Sequence, residues 1–220
     1  MTGALSAAAP GRDCPLCPRL VEYREANRAT HSDWHNAPVP SFGPLDARVL
    51  VVGLAPGVRG ANRTGRPFTG DFAGVLLYRT LLLFGLAEGD YAADPNDGLM
   101  LRDCRVTNAV RCVPPGNLPV PKEIGTCNPF LVAELAAMPR LRAVLALGGV
   151  AHAAVLRANG LRASHVAFKH GAVHRLPNGL LLADSYHVSR LNTNTGRLTT
   201  AMFETVVRSL VESLPIAASA

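Results

Sequence analysis

Nowhere does the chain hold about 18 consecutive apolar residues free of charge, so no membrane span is predicted. The opening MTGALSAAAPGRDCPLC has no basic stretch leading into a long apolar one. It reads as a mobile tail over residues 1–11, not an export signal, and the expected compartment is the cytoplasm, nucleoid-associated in a bacterial cell. No internal repeat occurs. Charged residues are scarce, 17% against 48% hydrophobic, which excludes a disordered polar chain because burial can offset the entropy of ordering. The five cysteines are an odd number with no export signal beside them, which argues against a disulfide framework and for metal or cluster ligation. Lys and Arg number 22 against 16 Asp and Glu, a net charge of +6 that favours a polyanionic partner such as nucleic acid.

A chain of 220 residues is long enough for a sizeable core, and one domain over residues 12–214 with a short C-terminal tail at 215–220 is expected. Four short apolar runs read as buried parallel strands: residues 47–53, 104–110, 142–148 and 179–184. Helical periodicity falls around and between them, at 20–28, 71–85, 121–138, 149–159 and 203–214. Alternation of this kind predicts a three-layer α/β/α fold on a central four-stranded parallel sheet, with ligands at the carboxyl ends of the strands. The two most unusual segments, 53–74 and 185–199, both follow strands.

Two sets of metal ligands can be drawn. Cys14-Pro-Leu-Cys17 with His31 and His35 has the loose spacing of a zinc site, but residues 18–26 read as helix and Cys112 and Cys127 are then unexplained. The competing set is Cys14, Cys17, Cys112 and Cys127. Four thiolates suit an iron–sulfur cluster or a structural zinc, and ligand softness does not choose between them. Either would clip the N-terminal region and the 112–127 loop to the sheet. Cys104, inside a strand, reads as core.

Gly60-Ala-Asn-Arg-Thr-Gly65-Arg66-Pro67 narrowly misses the phosphate-binding loop of nucleotide triphosphatases, since Pro67 has no hydroxyl to hold magnesium. The surrounding stretch is rich in glycine, with Arg59, Arg63 and Arg66 interleaved and Phe68 near its end. Glycines permit close backbone approach to a ligand, arginines suit phosphates, and an aromatic ring can stack on a base.

Gly53-Leu-Ala-Pro-Gly57, with Asn62 to Asp71, resembles the first motif of the uracil-DNA glycosylase superfamily in its family 5 form. Three segments agree in the same order: Thr107-Asn-Ala-Val-Arg-Cys-Val-Pro-Pro115, Cys127-Asn-Pro-Phe-Leu131, and Tyr186-His-Val-Ser-Arg-Leu-Asn-Thr-Asn-Thr-Gly196. The resemblance spans about residues 12–205 and implies a 4Fe-4S cluster on Cys14, Cys17, Cys112 and Cys127, with zinc as the alternative. It also implies a monofunctional enzyme that removes uracil and other deaminated bases such as hypoxanthine from DNA; one flipped base needs one pocket, so a monomer is expected. Gly53, Ala55 and Gly57 would then lie about the substrate, Asn108 would bond the base edge, and Phe68 would stack on the flipped base. His187 would stabilise charge on the departing base. Leu54 and Ala55 stand where related families carry an acid or Asn, so Asp71 is the candidate to position water; preceding Phe72-Ala-Gly-Val-Leu-Leu, it also reads as a helix cap.

Such chemistry makes sense of these residue types. A base within a duplex must be flipped out before it can be cut, and breaking its bond puts positive charge on the sugar and negative charge on the base. A donor at the base and an oriented water opposite answer both demands. Arg63, Ser189, Arg190 and Asn192 fit a surface that grips phosphates and wedges the duplex. Lys169, His170, His174 and Arg175 read as ordinary basic surface. A noncatalytic nucleic-acid-binding module with a structural zinc or cluster is the alternative of a different class.

Overall fold

In chain order the elements are α1 (Pro18–Thr30), β1 (Val49–Gly53), α2 (Ala61–Thr64), α3 (Phe72–Leu83), β2 (Ala87–Glu88), β3 (Met100–Leu101), β4 (Cys104–Asn108), α4 (Pro121–Ala136), β5 (Ala143–Leu147), α5 (Gly149–Ala158), β6 (Val173–Arg175), β7 (Leu181–Ser185), α6 (Arg190–Asn194) and α7 (Thr200–Glu212). The structure, a computed structural model, describes residues 9–214. Apart from residues 9–11, the tails expected at 1–11 and 215–220 lie outside the described residues. Among the described residues no helix is long and apolar enough to cross a membrane.

The sheet runs in the order β4-β1-β5-β7-β6. Four strands are parallel, as the apolar runs imply, and β6 adds a fifth, antiparallel to β7. Val173-His174-Arg175 is too short and too polar to show a strand pattern in sequence, and its pairing with β7 is what makes it one. Burial on both faces explains the continuous hydrophobicity of the parallel strands. Val49, Val51 and Leu145 face α3 and α7, through Leu77, Leu81, Phe203 and Leu210. Leu50, Val52 and Val144 face the other layer, through Leu131, Ala151 and Val155 of α4 and α5.

Local chemistry sets the helix ends. Pro18 and Pro121 open α1 and α4, where a missing N–H costs nothing. The Val120 N–H donates to Glu123 at 2.8 Å, and the Thr199 hydroxyl caps α7. Because β1 pairs with β4 so that Gly53 lies opposite Asn108, and β5 with β7 so that Leu147 lies opposite Ser185, the segments read as functional leave the sheet at one edge.

Beneath that edge lies an ionic knot that no local pattern of residues announces. Arg111, 1% exposed, donates to the Glu134 carboxylate at 2.6 Å, and Arg105 donates to its other oxygen at 2.5 Å. The Ser41 hydroxyl joins them, 2.8 Å from Glu134 and 2.9 Å from Thr107. Burial alone would raise the pKa of Glu134, but the two guanidiniums outweigh it and hold the carboxyl below its ordinary value of 4.5. A depressed carboxylate stabilises the fold fully above about pH 4.5 and loses that contribution as pH falls through its folded value. Glu134→Gln, which strands two guanidiniums, is expected to cost about 3–5 kcal/mol in urea unfolding at neutral pH, with the difference from wild type shrinking as the buffer is acidified.

Candidate active site

Where β1 and β4 end, a cleft of about 740 Å³ opens between the Gly-rich segment and the loop after β7. Its lining includes Leu54, Ala55, Gly57, Phe68, Asp71, Asn108, His187, Ser189 and Arg190, most of the residues singled out from sequence. Gly53 lies behind it. A Cβ there would fall 2.4 Å from both the Asn108 Oδ1 and the Phe68 ring, so glycine is the side chain that lets those two groups meet. Asn108 is 3% exposed, and its Oδ1 finds no hydrogen-bond partner among the described residues. A buried amide oxygen left unpaired at the floor of a cleft points to a ligand that donates to it.

Phe68 holds its ring at the cleft with a left-handed backbone, φ +52°. Its carbonyl accepts from the Tyr91 hydroxyl at 3.0 Å, and the preceding Pro67 carbonyl accepts from Tyr78 at 2.6 Å. Gly74 is the other half of this clamp, since a Cβ on it would stand 1.7 Å from the Phe68 oxygen. Arg66 does not reach toward phosphates. It is 6% exposed, forks onto Asp97 with two 2.8 Å bonds and lies over the rings of Phe42, Tyr78 and Tyr91, bracing the loop from below. Long-range pairing chose that role, and a glycine-rich stretch carries no local sign of it. Arg63 is exposed beside a neighbouring hollow with Trp34 and His35, while Arg59 is the arginine of this segment that lines the cleft.

Asp71 takes the helix-capping part read for it. One oxygen caps α3, accepting from the Ala73 N–H at 3.1 Å, while the other is lodged against Gly57 and Gly60, where a Cβ would lie 2.8 and 2.2 Å away. Burial raises its pKa above 3.8 despite the backbone N–H groups of Gly74 and Ala73. His187 faces Phe68 with ring centroids 6.1 Å apart, and burial pushes its pKa down to about 4, so the imidazole is neutral at pH 7. Its backbone is fixed from both sides: the Asn192 amide donates to the His187 carbonyl at 2.8 Å, and the Tyr186 N–H donates to His170 at 3.1 Å. Ser189 caps α6, so Ser189 and Asn192 shape this loop first. Arg190 is exposed over the Phe72 ring. Asn117, absent from the sequence reading, lines the cleft from the loop before α4, and Leu191, next to Arg190 on α6, is 72% exposed.

The four cysteines of the competing set line one enclosed pocket with Leu20, Val110, Phe130 and Arg24. His31 stacks on Trp34 and His35 approaches the Pro38 carbonyl, both away from that pocket. Cys104 is fully buried in the core, as expected. Burial, with the neighbouring thiols, pushes Cys17 up to about 11 and Cys112 to about 12, so at neutral pH these groups ionise only when a metal ion takes the place of their protons. Arg24, 3% exposed, donates to the Cys14 carbonyl at 3.1 Å with its Nε 3.6 Å from Glu25, and the Arg111 N–H donates to the Cys127 sulfur at 3.4 Å. Among the described residues no three of these sulfurs lie within 4.8 Å of one another, whereas thiolates on one tetrahedral zinc stand about 3.8 Å apart.

The family model described as the uracil DNA glycosylase superfamily matches residues 40–211. A protein of Thermus thermophilus named type-5 uracil-DNA glycosylase is 49% identical over 195 residues, covering 86% of this chain and 89% of its own. Proteins of the same name from Pyrobaculum aerophilum and Mycobacterium leprae are 45% and 44% identical, each over 89% of this chain and over 87% and 89% of their own.

Gly74→Ala forces a Cβ onto the Phe68 carbonyl and is expected to destabilise the fold by about 1–3 kcal/mol in chemical denaturation, more than Tyr91→Phe, which removes one hydrogen bond worth about 1 kcal/mol.

Proposed function

The chain belongs to the uracil DNA glycosylase superfamily, and from that premise we propose that it hydrolyses the N-glycosidic bond of uracil in DNA and leaves an abasic site. The observation that carries the reading is the unpaired, buried Asn108 Oδ1 beside the Phe68 ring and a neutral His187. Uracil offers an N–H donor next to a carbonyl on its pairing edge, the complement of a side-chain amide. Hypoxanthine offers the same pair, so the same amide accommodates it. Cytosine presents an unprotonated ring nitrogen there and leaves the Asn108 oxygen unmet, a penalty that a site built around a hydrogen bond turns into discrimination.

On this reading the flipped base slides against Phe68, whose clamped backbone keeps the ring in place. As the bond to the sugar lengthens, negative charge gathers on the base and the neutral His187 ring donates a hydrogen bond to it. Asp71, anchored by the α3 terminus and seated against Gly57 and Gly60, orients the attacking water and faces the positive charge of the sugar. The chain's two lysines, Lys122 and Lys169, are not among the cleft-lining residues, so no lysine amine competes with water for the sugar carbon. Arg59, Arg190 and Ser189 border the cleft where phosphates of the bent strand would pass, and Leu191 has the exposure and position of an apolar wedge for the gap the flipped base leaves.

Cys14, Cys17, Cys112 and Cys127 would hold a 4Fe-4S cluster. The spread of the sulfurs, no three within 4.8 Å of one another among the described residues, supports it over a single zinc. When bound, the cluster ties α1 and the 112–127 loop to the end of β4, restricting the unfolded chain, and takes no part in bond cleavage. The chain is expected to purify with about four iron atoms and to lose them in Cys112→Ser, by iron and sulfide analysis.

Labelled duplexes with uracil or hypoxanthine opposite guanine, cut by alkali at abasic sites, test the activity. Wild-type protein is expected to release both bases, while Asn108→Ala and His187→Ala fall by about 10²–10³-fold in single-turnover rate. Because His187 titrates near pH 4, the rate is expected to stay level between about pH 6 and 8. The loss of rate at lower pH follows the raised pKa of Asp71 and vanishes in Asp71→Asn. Wild-type rates in both the Asn108 and His187 variants would sink this assignment. Salt-sensitive DNA binding without base release by iron-replete protein would favour the noncatalytic module.

A further inference from the structure

Away from the cleft, a second group of polar side chains converges on the end of β7. Asp184 is fully buried, its Oδ1 2.7 Å from His152 Nδ1 on α5 and its Oδ2 3.3 Å from His174 Nε2 on β6. One donor atom from each residue lies within 4.8 Å of the others, and among the described residues no other group of metal-ligating side chains is so gathered. His174, read from sequence as basic surface, turns inward instead.

The geometry of His152 asks for a cation. Its Nε2 lies 3.0 Å from the Val166 carbonyl, which has only lone pairs to offer, so Nε2 carries the ring proton. In the neutral ring Nδ1 is then a bare lone pair, 2.7 Å from a carboxylate oxygen. Two lone pairs do not rest at that separation in a buried site: either a second proton lies between them, or the pair opens to about 3.3 Å around a metal ion. A ligating histidine whose other nitrogen donates to a backbone carbonyl is the usual outer support of a metal site. The Lys169 N–H reaches Asp184 Oδ2 at 3.2 Å and leaves that oxygen further lone pairs. Two imidazoles and one carboxylate are zinc ligands, too soft a set for calcium or magnesium. Phe168, edge-on to His152 with centroids 5.8 Å apart, closes one side, and the His174 side chain, 19% exposed, gives a way in.

We propose that His152 Nδ1, His174 Nε2 and the Asp184 carboxylate form a site for one zinc ion, with water as the fourth ligand. It would join α5 to the β6–β7 edge at the root of the segment that carries His187. The test uses full-length, iron-loaded protein, cleared of loosely held metal and dialysed against buffered zinc at neutral pH, with zinc counted by mass spectrometry. Wild type is expected to take up one zinc per chain and to melt at a higher temperature with it. His174→Ala, on an edge strand and with all cysteines intact, should bind at least about tenfold more weakly and show no thermal shift. Asp184→Asn, which keeps the shape and removes the charge, should lose zinc as well. Equal uptake by wild type and His174→Ala would assign any zinc to the cysteines, and no uptake by wild type would leave a proton between the lone pairs; either result overturns the proposal.

Discussion

Gly53 stands opposite Asn108 at the end of the β1–β4 pair, and the volume its absent Cβ leaves is shared by the Asn108 amide and the Phe68 ring. The rest of the site depends on that close approach. Gly57 and Gly60 make room for the Asp71 carboxylate in the same way, and Gly74 makes room for the Phe68 carbonyl. At these positions glycine serves less for backbone freedom than for the side chain it does not have, and three functional groups meet in a cleft that larger residues would fill.

Holding Phe68 in a left-handed conformation takes support that bears directly on function. Two tyrosine hydroxyls take the carbonyls of Pro67 and Phe68, and the Arg66–Asp97 fork fastens the loop to the 91–99 segment. The arginines of this protein thus divide into two kinds. Arg66 and Arg111 are buried and spent on carboxylates, while Arg59, Arg63 and Arg190 stay exposed. A net charge of +6 says nothing of that division. Only the exposed arginines can meet phosphate, because a buried guanidinium already paired would leave its carboxylate stranded if it moved.

Asn108 ends β4 and Cys112 lies four residues on, past the bend at 109–110, so one short stretch of chain lines both the cleft and the cysteine pocket. The segment from Cys112 to Cys127, a loop that runs into the first turns of α4, begins and ends on cysteines of the pocket and brings Asn117 to the cleft between them. Whatever orders the four sulfurs therefore orders one rim of the cleft. On the far side, Tyr186 lies between the His170 ring and the Arg197 guanidinium, which fixes the approach to His187. The two halves of the site are held by different elements, and their spacing is set by the sheet alone.

The parallel strands were legible in the chain because strands buried on both faces must be apolar throughout, and the capped, periodic helices between them were legible for the same reason of local pattern. Asn108, Asp71, His187 and the four cysteines could be named from motif order, and each borders the cleft or the pocket it was expected to border. Tertiary structure alone decided which arginine faces outward, that three residues around His174 join the sheet, that Leu191 stands exposed, and that Glu134 and Asp184 are buried among cations or histidines. Those outcomes rest on partners tens of residues away, and a side chain's pairing and burial are properties of the packed chain, not of its neighbours in sequence.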